Sequence, residues 1–143
     1  MKTTNDLLDV LSNKVDNTKD LDRYIDKLDK YNSDDFVKFF AESMSKHKIK
    51  KSELVKKSGI DRTYFYQILN GTRKPGRDNA LALCIASGLS LDETIRCLEI
   101  LKEGVLYPKD KRDSIIIYSI NHKLSLNETN DLLFSKKEAT LNK

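Results

Sequence analysis

The sequence predicts an all-helical protein, and three observations support this fold class. Proline occurs only twice in 143 residues, so few helices are interrupted by its missing N–H and fixed backbone angle. Apolar residues recur at the spacing of a helix face along most of the chain. The apolar stretches are separated by serine, aspartate and glycine, which start or end helices.

The first segment, residues 1–33, is acidic and predicts one short helix. Within Met1–Asp35, nine acidic and six basic residues give a net charge of −3. We interpret Met1–Thr18 as a disordered leader. The alternative is that the acidic start, Met1–Asp35, is an autoinhibitory cover for the basic surface described below. Four apolar residues after this leader recur at helical spacing and predict a helix: Leu21, Tyr24, Ile25 and Leu28.

The central segment begins with a helix that is capped by Ser33 or Asp34 and runs to about Lys46. Its apolar stripe follows a period of 3.6 residues: Phe36, Val37, Phe40, Ala41 and Met44.

Two short helices follow, joined by a tight turn. The first spans Lys51–Lys57 and ends at Gly59, which can adopt the left-handed conformation. The second is capped by Asp61 and spans Arg62–Asn70. Ile60 and Phe65 flank the cap at the spacing of a hydrophobic staple. Two helices joined in this way are typical of a helix-turn-helix motif.

The predicted helices then occur as two similar pairs. Arg77–Ser87 forms a helix that stops before Gly88, and a capping box from Ser90 to Glu93 opens a fifth helix that ends near Leu101. An offset of 35 residues aligns this pair with the end of the chain through shared residues: Arg77-Asp78 with Arg112-Asp113, Ile85 with Ile120, Leu89-Ser90-Leu91 with Leu124-Ser125-Leu126, Glu93-Thr94 with Glu128-Thr129, and Leu98 with Leu133.

The repeat predicts a second helix pair over Lys111–Phe134, with its own capping box from Ser125 to Glu128. The β-branched run Ile115–Ile120 also fits a strand, and the repeat argues against that alternative. The pair is either a contact between two copies of the chain or a second layer that packs back on the central domain.

Positive charge is concentrated in the middle of the chain. Lys46–Arg77 contains ten basic and two acidic residues, a net charge of +8 against +4 for the whole protein. Such a patch attracts nucleic-acid phosphates, although a solvated lysine-rich surface gives the same count. By helical geometry, four residues of the second short helix point away from the core: Thr63, Tyr66, Gln67 and Asn70. Arg62 lies in the first turn of that helix and can reach forward.

From Ile49 to Ile95 the sequence resembles the Xre/Cro-repressor-like helix-turn-helix family, whose fold is the lambda-repressor-like fold. The resemblance covers about a third of the chain, and nearly half when the preceding helix is added. It lies in these stretches: Glu53-Leu54-Val55-Lys56-Lys57-Ser58-Gly59-Ile60, Phe65, Ile68, Asn70-Gly71, Arg73-Lys74-Pro75 and Leu89-Ser90-Leu91-Asp92-Glu93.

The resemblance implies a five-helix DNA-binding domain over residues 34–104, followed by the extra helix pair and tail over residues 105–143. In this family the second helix of the motif enters the major groove and the first crosses the backbone. The implied base contacts are Arg62, Thr63, Tyr66 and Gln67. The implied phosphate contacts are Lys51, Tyr64, Asn70, Thr72, Arg73, Lys74 and Arg77.

Other function classes find less support in the sequence. No nucleophile with a neighbouring base, glycine-rich phosphate loop or metal-ligand spacing is present, so we expect no enzyme activity, cofactor or metal. No apolar stretch is long enough to cross a membrane, and we expect a cytoplasmic protein with Cys84 and Cys97 reduced in the core. The expected function is double-stranded DNA binding as a transcriptional regulator, with repression as the expected direction. The alternative is a protein-interaction module, antitoxin-like or regulatory, that binds a partner through the C-terminal pair.

Overall fold

The computed structural model describes residues 18–22 and 32–142, and all regular elements within them are helical. The all-helical prediction is therefore confirmed for this part of the chain, and the strand alternative for Ile115–Ile120 is wrong. Residues 18–22 are helical, whereas the rest of the predicted Leu21–Leu28 helix and nearly all of the Met1–Thr18 leader lie outside the described residues. The chain from Ser33 onward forms one compact unit.

This unit contains seven helices within residues 32–142, and their bounds agree with the prediction to within about two residues. They are α1 (Ser33–Lys46), α2 (Lys51–Ser58), α3 (Arg62–Leu69), α4 (Arg77–Ala86), α5 (Leu91–Ile100), α6 (Lys111–Asn121) and α7 (Leu126–Ser135).

The turn between α2 and α3 has the predicted chemistry. Gly59 ends α2 in the left-handed conformation with φ of 66°, and Asp61 accepts a hydrogen bond from the Tyr64 N–H at the start of α3. A Cβ atom at Gly59 would lie 3.0 Å from Nδ2 of Asn142. The backbone angle therefore favours glycine at this position, and a larger residue would also displace the end of the Asn142 side chain.

Helix α4 lies at the centre of the unit. All residues from Ala80 to Ile85 are buried, which fits a helix covered on several sides. It packs against α2, α5 and α7, while α1 packs against α5. Helix α1 contributes the stacked rings of Phe36 and Phe40, whose centroids are 5.6 Å apart.

The helix pair α6–α7 repeats α4–α5 in structure as well as in sequence. Both predicted capping boxes form, with Ser90 and Glu93 at α5 and with Ser125 and Glu128 at α7. A buried threonine hydroxyl, Thr94 or Thr129, donates at 2.8 Å to the cap carbonyl in both copies. The same local sequence therefore forms the same helix start twice.

The two helix pairs, which are the two copies of the repeat, form reciprocal ion pairs with each other. Arg77 donates to both carboxylate oxygens of Asp113, at 3.2 and 3.0 Å. Its counterpart Arg112 donates to both oxygens of Asp78, at 2.9 and 3.1 Å. Helix packing is equally reciprocal, with α4 on α7 and α5 on α6. Exchange of equivalent contacts is characteristic of two-fold symmetry, so the copies are related by a pseudo-two-fold axis.

Each arginine also holds the end of its own copy. The Nε and a terminal N–H of each guanidinium donate to two consecutive backbone carbonyls, which belong to Gly104 and Val105 for Arg77, and to Ala139 and Thr140 for Arg112. The repeat thus continues beyond the second helix of each copy into the segment that follows it.

Glu93 joins the end of α1 to the start of α5. Its Oε1 accepts from the Ser90 N–H and contacts Nε2 of His47, both at 2.9 Å, and its Oε2 lies 3.7 Å from Nζ of Lys46. Burial acts to raise the pKa of Glu93, but the hydrogen bonds from Ser90 and His47 outweigh it and hold this pKa below its ordinary value.

We expect acid to weaken the fold through Glu93. Because its folded pKa is lowered, its stabilising effect is complete above the pKa of an unfolded glutamate and is lost as the pH falls through the folded value. Glu93→Gln keeps a capping-box acceptor and should reduce the acid dependence of the urea midpoint. Glu128→Gln is the comparison: capping hydrogen bonds with Ser125 lower the pKa of Glu128 as well, but no cation in the described residues pairs with it, so its effect on the acid dependence should be smaller. Acid dependence that is unchanged in Glu93→Gln would contradict this account.

Candidate nucleic-acid interface

Helix α3 presents a polar face beside its buried stripe. Phe65, Ile68 and Leu69 are buried, which fixes the rotation of the helix. Arg62 and Thr63 are consequently exposed, while three further predicted contact residues are half-buried: Tyr64, Tyr66 and Gln67. The first turn therefore offers a guanidinium and a hydroxyl to solvent, with an amide one turn later.

Two arginine–tyrosine pairs organise this face. The guanidinium of Arg62 lies 5.8 Å from the centre of the Tyr66 ring, and that of Arg73 lies 5.1 Å from the centre of the Tyr64 ring. The Tyr66 ring also packs edge-on against buried Phe65, at 5.2 Å between centroids. Each tyrosine therefore both covers the helix edge and supports a cation, and the two functions do not exclude each other.

The loop after α3 is attached to the same helix. The Tyr64 hydroxyl lies 3.5 Å from the carbonyl oxygen of Lys74, to which it donates. Asn70 Oδ1 accepts from the N–H of Thr72 at 2.9 Å and from its hydroxyl at 2.5 Å. Gly71 follows with φ of 85°, and a Cβ there would lie 3.2 Å from Val37 of α1. The basic loop is thus held in a defined position beside α3.

The basic side chains of this region differ in whether they form an ion pair with a carboxylate. Lys51, Arg62 and Arg73 are exposed, and no carboxylate in the described residues forms an ion pair with them. Lys74 lies 3.5 Å from a carboxylate oxygen of Glu103. Three of these cations are therefore available to bind an anion without first breaking an ion pair.

Arg77 occupies a different environment from the one that the sequence suggested. Its guanidinium donates to Asp113, Gly104 and Val105, and its side chain is only 25% exposed. Donors used in this way are not available to a phosphate. The structure assigns Arg77 to the contact between the two helix pairs, and we omit it from the candidate interface.

The C-terminal end contacts the α2–α3 turn, which sequence patterns did not indicate. Asn142 Nδ2 donates to the Ser58 carbonyl at 2.6 Å, and its Oδ1 accepts from Asn130 of α7 at 2.9 Å. Asn130 in turn accepts from the Leu141 N–H at 2.8 Å. The second helix pair therefore supports the turn that sets the position of α3.

The described residues give little support for a metal site, a membrane span or a reactive thiol. They contain no group of three or more histidine, cysteine or acidic side chains that could hold a metal, and none of their helices could cross a membrane. Cys84 and Cys97 are free and fully buried. A hydrogen bond with Cys97, together with burial, raises the pKa of the Cys84 thiol, so this thiol is a poor nucleophile.

Comparisons of the chain with family models, with curated proteins and with solved structures find no match.

Proposed function

We propose that this protein binds double-stranded DNA in a sequence-specific manner as a transcriptional regulator, with repression as the expected direction. Helix α3 enters the major groove, and α2 crosses the backbone as the first helix of a helix-turn-helix motif. The observation that carries this proposal is the exposed first turn of α3 beside cations that lack carboxylate partners in the described residues.

In this arrangement, four residues of α3 form the base-reading surface. Arg62 suits guanine, whose O6 and N7 accept two parallel hydrogen bonds, and Gln67 suits adenine by the same two-point geometry. Thr63 contacts a thymine methyl group or a phosphate. Tyr66 supports Arg62 from behind, as the cation–ring distance of 5.8 Å indicates.

Phosphate contacts surround these base contacts. Lys51 at the start of α2 and Arg73 in the loop supply charge, and Tyr64 orients Arg73 through its ring. Asn70, Thr72 and Lys74 complete the set, with Asn70 acting chiefly by ordering the loop. Neutralising phosphates releases counterions, so affinity should fall steeply as salt is added.

The test is selection of duplexes from a random library by the full chain, followed by titration of the selected duplex at several salt concentrations. Arg62→Ala and Gln67→Ala should each reduce the preference for the selected site over random duplex by about 1–3 kcal/mol, or roughly fivefold to 150-fold. Arg73→Ala should weaken binding to both duplexes alike and lower the salt slope by about one.

Arg96→Ala is the matched control, since Arg96 is an exposed arginine of α5 outside the candidate interface. It removes one charge and should leave both preference and salt slope nearly unchanged. If no duplex is enriched, or if Arg96→Ala and Arg62→Ala have the same effect, groove reading by α3 is excluded.

A further inference from the structure

The two helix pairs differ on one face, although they share a fold and reciprocal contacts. Leu83 of the first pair is fully buried, whereas its counterpart Tyr118 is 51% exposed. The same change from a buried to a more open position occurs at further equivalent sites, from Ala80 to Ile115, Ser87 to His122, Cys97 to Leu132, Ile100 to Ser135 and Leu101 to Lys136.

The contact between the two pairs does not explain this difference. A reciprocal contact buries equivalent positions in both copies, so a position that is buried in only one copy is covered by something else. For the first pair the cover is the preceding part of the domain, because α2 packs on α4 and α1 packs on α5. In the first pair, this face is therefore covered by amphipathic helices.

We propose that the equivalent face of the second pair binds an amphipathic helix of a partner protein, in the way that the first pair binds α1. The face is centred on Ile115, Tyr118 and Leu132, which we call the open face. Of the helices that cover the first pair, α1 packs on α5, the counterpart of α7, and its buried stripe contains Phe36, Phe40 and Met44.

Charge at one end of the open face specifies the end of the partner helix. In the first pair, Glu93 contacts Lys46 and His47 at the end of α1. Its counterpart Glu128 forms the same capping box, but no cation in the described residues pairs with it. A partner helix that ends in basic residues would restore this ion pair, and a basic end also suits the helix dipole.

Charge at the opposite end specifies the start of the partner helix. The end of α1 lies at the start of α5, so the two helices run in opposite directions and the start of α1 lies toward the end of α5. The equivalent place in the second pair carries Lys136, which has no carboxylate partner in the described residues. Acidic residues in the first turn of a partner helix would pair with this lysine, as Asp34 and Asp35 occupy the first turn of α1.

These features fit a helix with an acidic start, an apolar stripe and a basic end. The α1 sequence has all three, and inside its own chain it is already packed on α5. The α1 helix is therefore not free to fill the open face, either of its own chain or of a second copy, and we assign the occupant to a partner protein. This inference does not depend on DNA binding.

The test uses a labelled peptide of residues 33–48, with blocked ends, as a probe for the open face of the full chain in the absence of DNA. Saturable binding should be weakened about tenfold or more by Tyr118→Ser, the loss typical of removing an aromatic anchor. Lys136→Glu should weaken it as well, and a peptide with Asp35→Lys should bind Lys136→Glu better than it binds the wild type.

The matched control is Phe134→Ser. Phe134 is 78% exposed but lies two residues from Leu132 on α7, and so on a different side of that helix. Its replacement should leave peptide binding unchanged, and circular dichroism of each variant tests that it is folded. This control separates the open face from general adhesion to exposed aromatic rings.

Three outcomes would overturn the proposal. The first is that the peptide does not bind the wild-type protein. The second is that the peptide binds Tyr118→Ser as well as it binds the wild type, which would place the peptide elsewhere on the protein. Alternatively, sedimentation shows a dimer that Tyr118→Ser dissociates, in which case a second copy of the chain occupies the open face.

Discussion

Replacing Asp113 by alanine is expected to lower the free energy of unfolding by about 3–5 kcal/mol, the usual cost of removing one partner from a buried ion pair. The Asp113 side chain is only 10% exposed, and its carboxylate accepts from Arg77 twice and from the Tyr107 N–H at 2.9 Å. Its loss leaves a largely buried guanidinium and a backbone N–H without their acceptor. Urea unfolding of the wild type and the variant measures the difference.

The pseudo-symmetric pair provides the control for this prediction. Asp78 occupies the equivalent position and accepts from Arg112, but its side chain is 47% exposed. Solvent reaches the carboxylate of this pair, although the Arg112 side chain is only 19% exposed, so Asp78→Ala should cost less than Asp113→Ala, about 1–3 kcal/mol. Two equal losses would show that burial does not distinguish the pairs, and a small loss at Asp113 would show that the reciprocal contact contributes little to stability.

Short-range chemistry made most of the fold predictable from the sequence. Helix bounds depend on the first and last turns, where Asp61, Ser90 and Ser125 cap helices and Gly59 ends one. The strand alternative for Ile115–Ile120 failed because these residues form part of α6. This helix packs against both α7 and α5, so it needs apolar residues on more than one side. Local signals were sufficient at these places because the interactions span only a few residues.

The candidate interface was only partly predictable, because charge patterns do not identify partners. Arg77 and Arg73 look alike in a basic stretch, yet Arg77 pairs with Asp113, a residue 36 positions away, and Arg73 packs on Tyr64. The distant partner changes the assignment of Arg77 from phosphate contact to internal ion pair. The link from Asn142 to Ser58 had no sequence signal, since an asparagine near a chain end is usually solvated.

The extent of the repeat had a signal that was easy to miss. Beyond Leu98 and Leu133 the same 35-residue offset continues to align Lys102-Glu103 with Lys137-Glu138 and Leu106 with Leu141. Both leucines are buried, and Lys102 and Lys137 share a positive φ of 56° and 63°. Alignment over the full length would have predicted that each copy ends in an ordered segment rather than at its second helix.

The repeat also leads to the largest effect that we expect, which is the loss of folding in a chain that ends at Lys109. Removing the second pair uncovers the faces of α4 and α5 that pack on α7 and α6, and it deprives Arg77 of its carboxylate. Domains of this size are stabilised by about 5–15 kcal/mol in total, so losses on two helices and one ion pair leave little of that stability. Circular dichroism with heating should show no cooperative transition in the shortened chain.

A chain that ends at Leu141 controls for simple shortening, because it keeps both helix pairs and loses the two hydrogen bonds that Asn142 forms with Ser58 and Asn130. It should remain folded, with a somewhat lower melting temperature. If the chain that ends at Lys109 folds cooperatively as a monomer while the full-length chain is a dimer, the second pair is a contact between copies. Unfolding of the shortened chain instead establishes the pair as a second layer of the domain, which is the outcome that the reciprocal ion pairs favour.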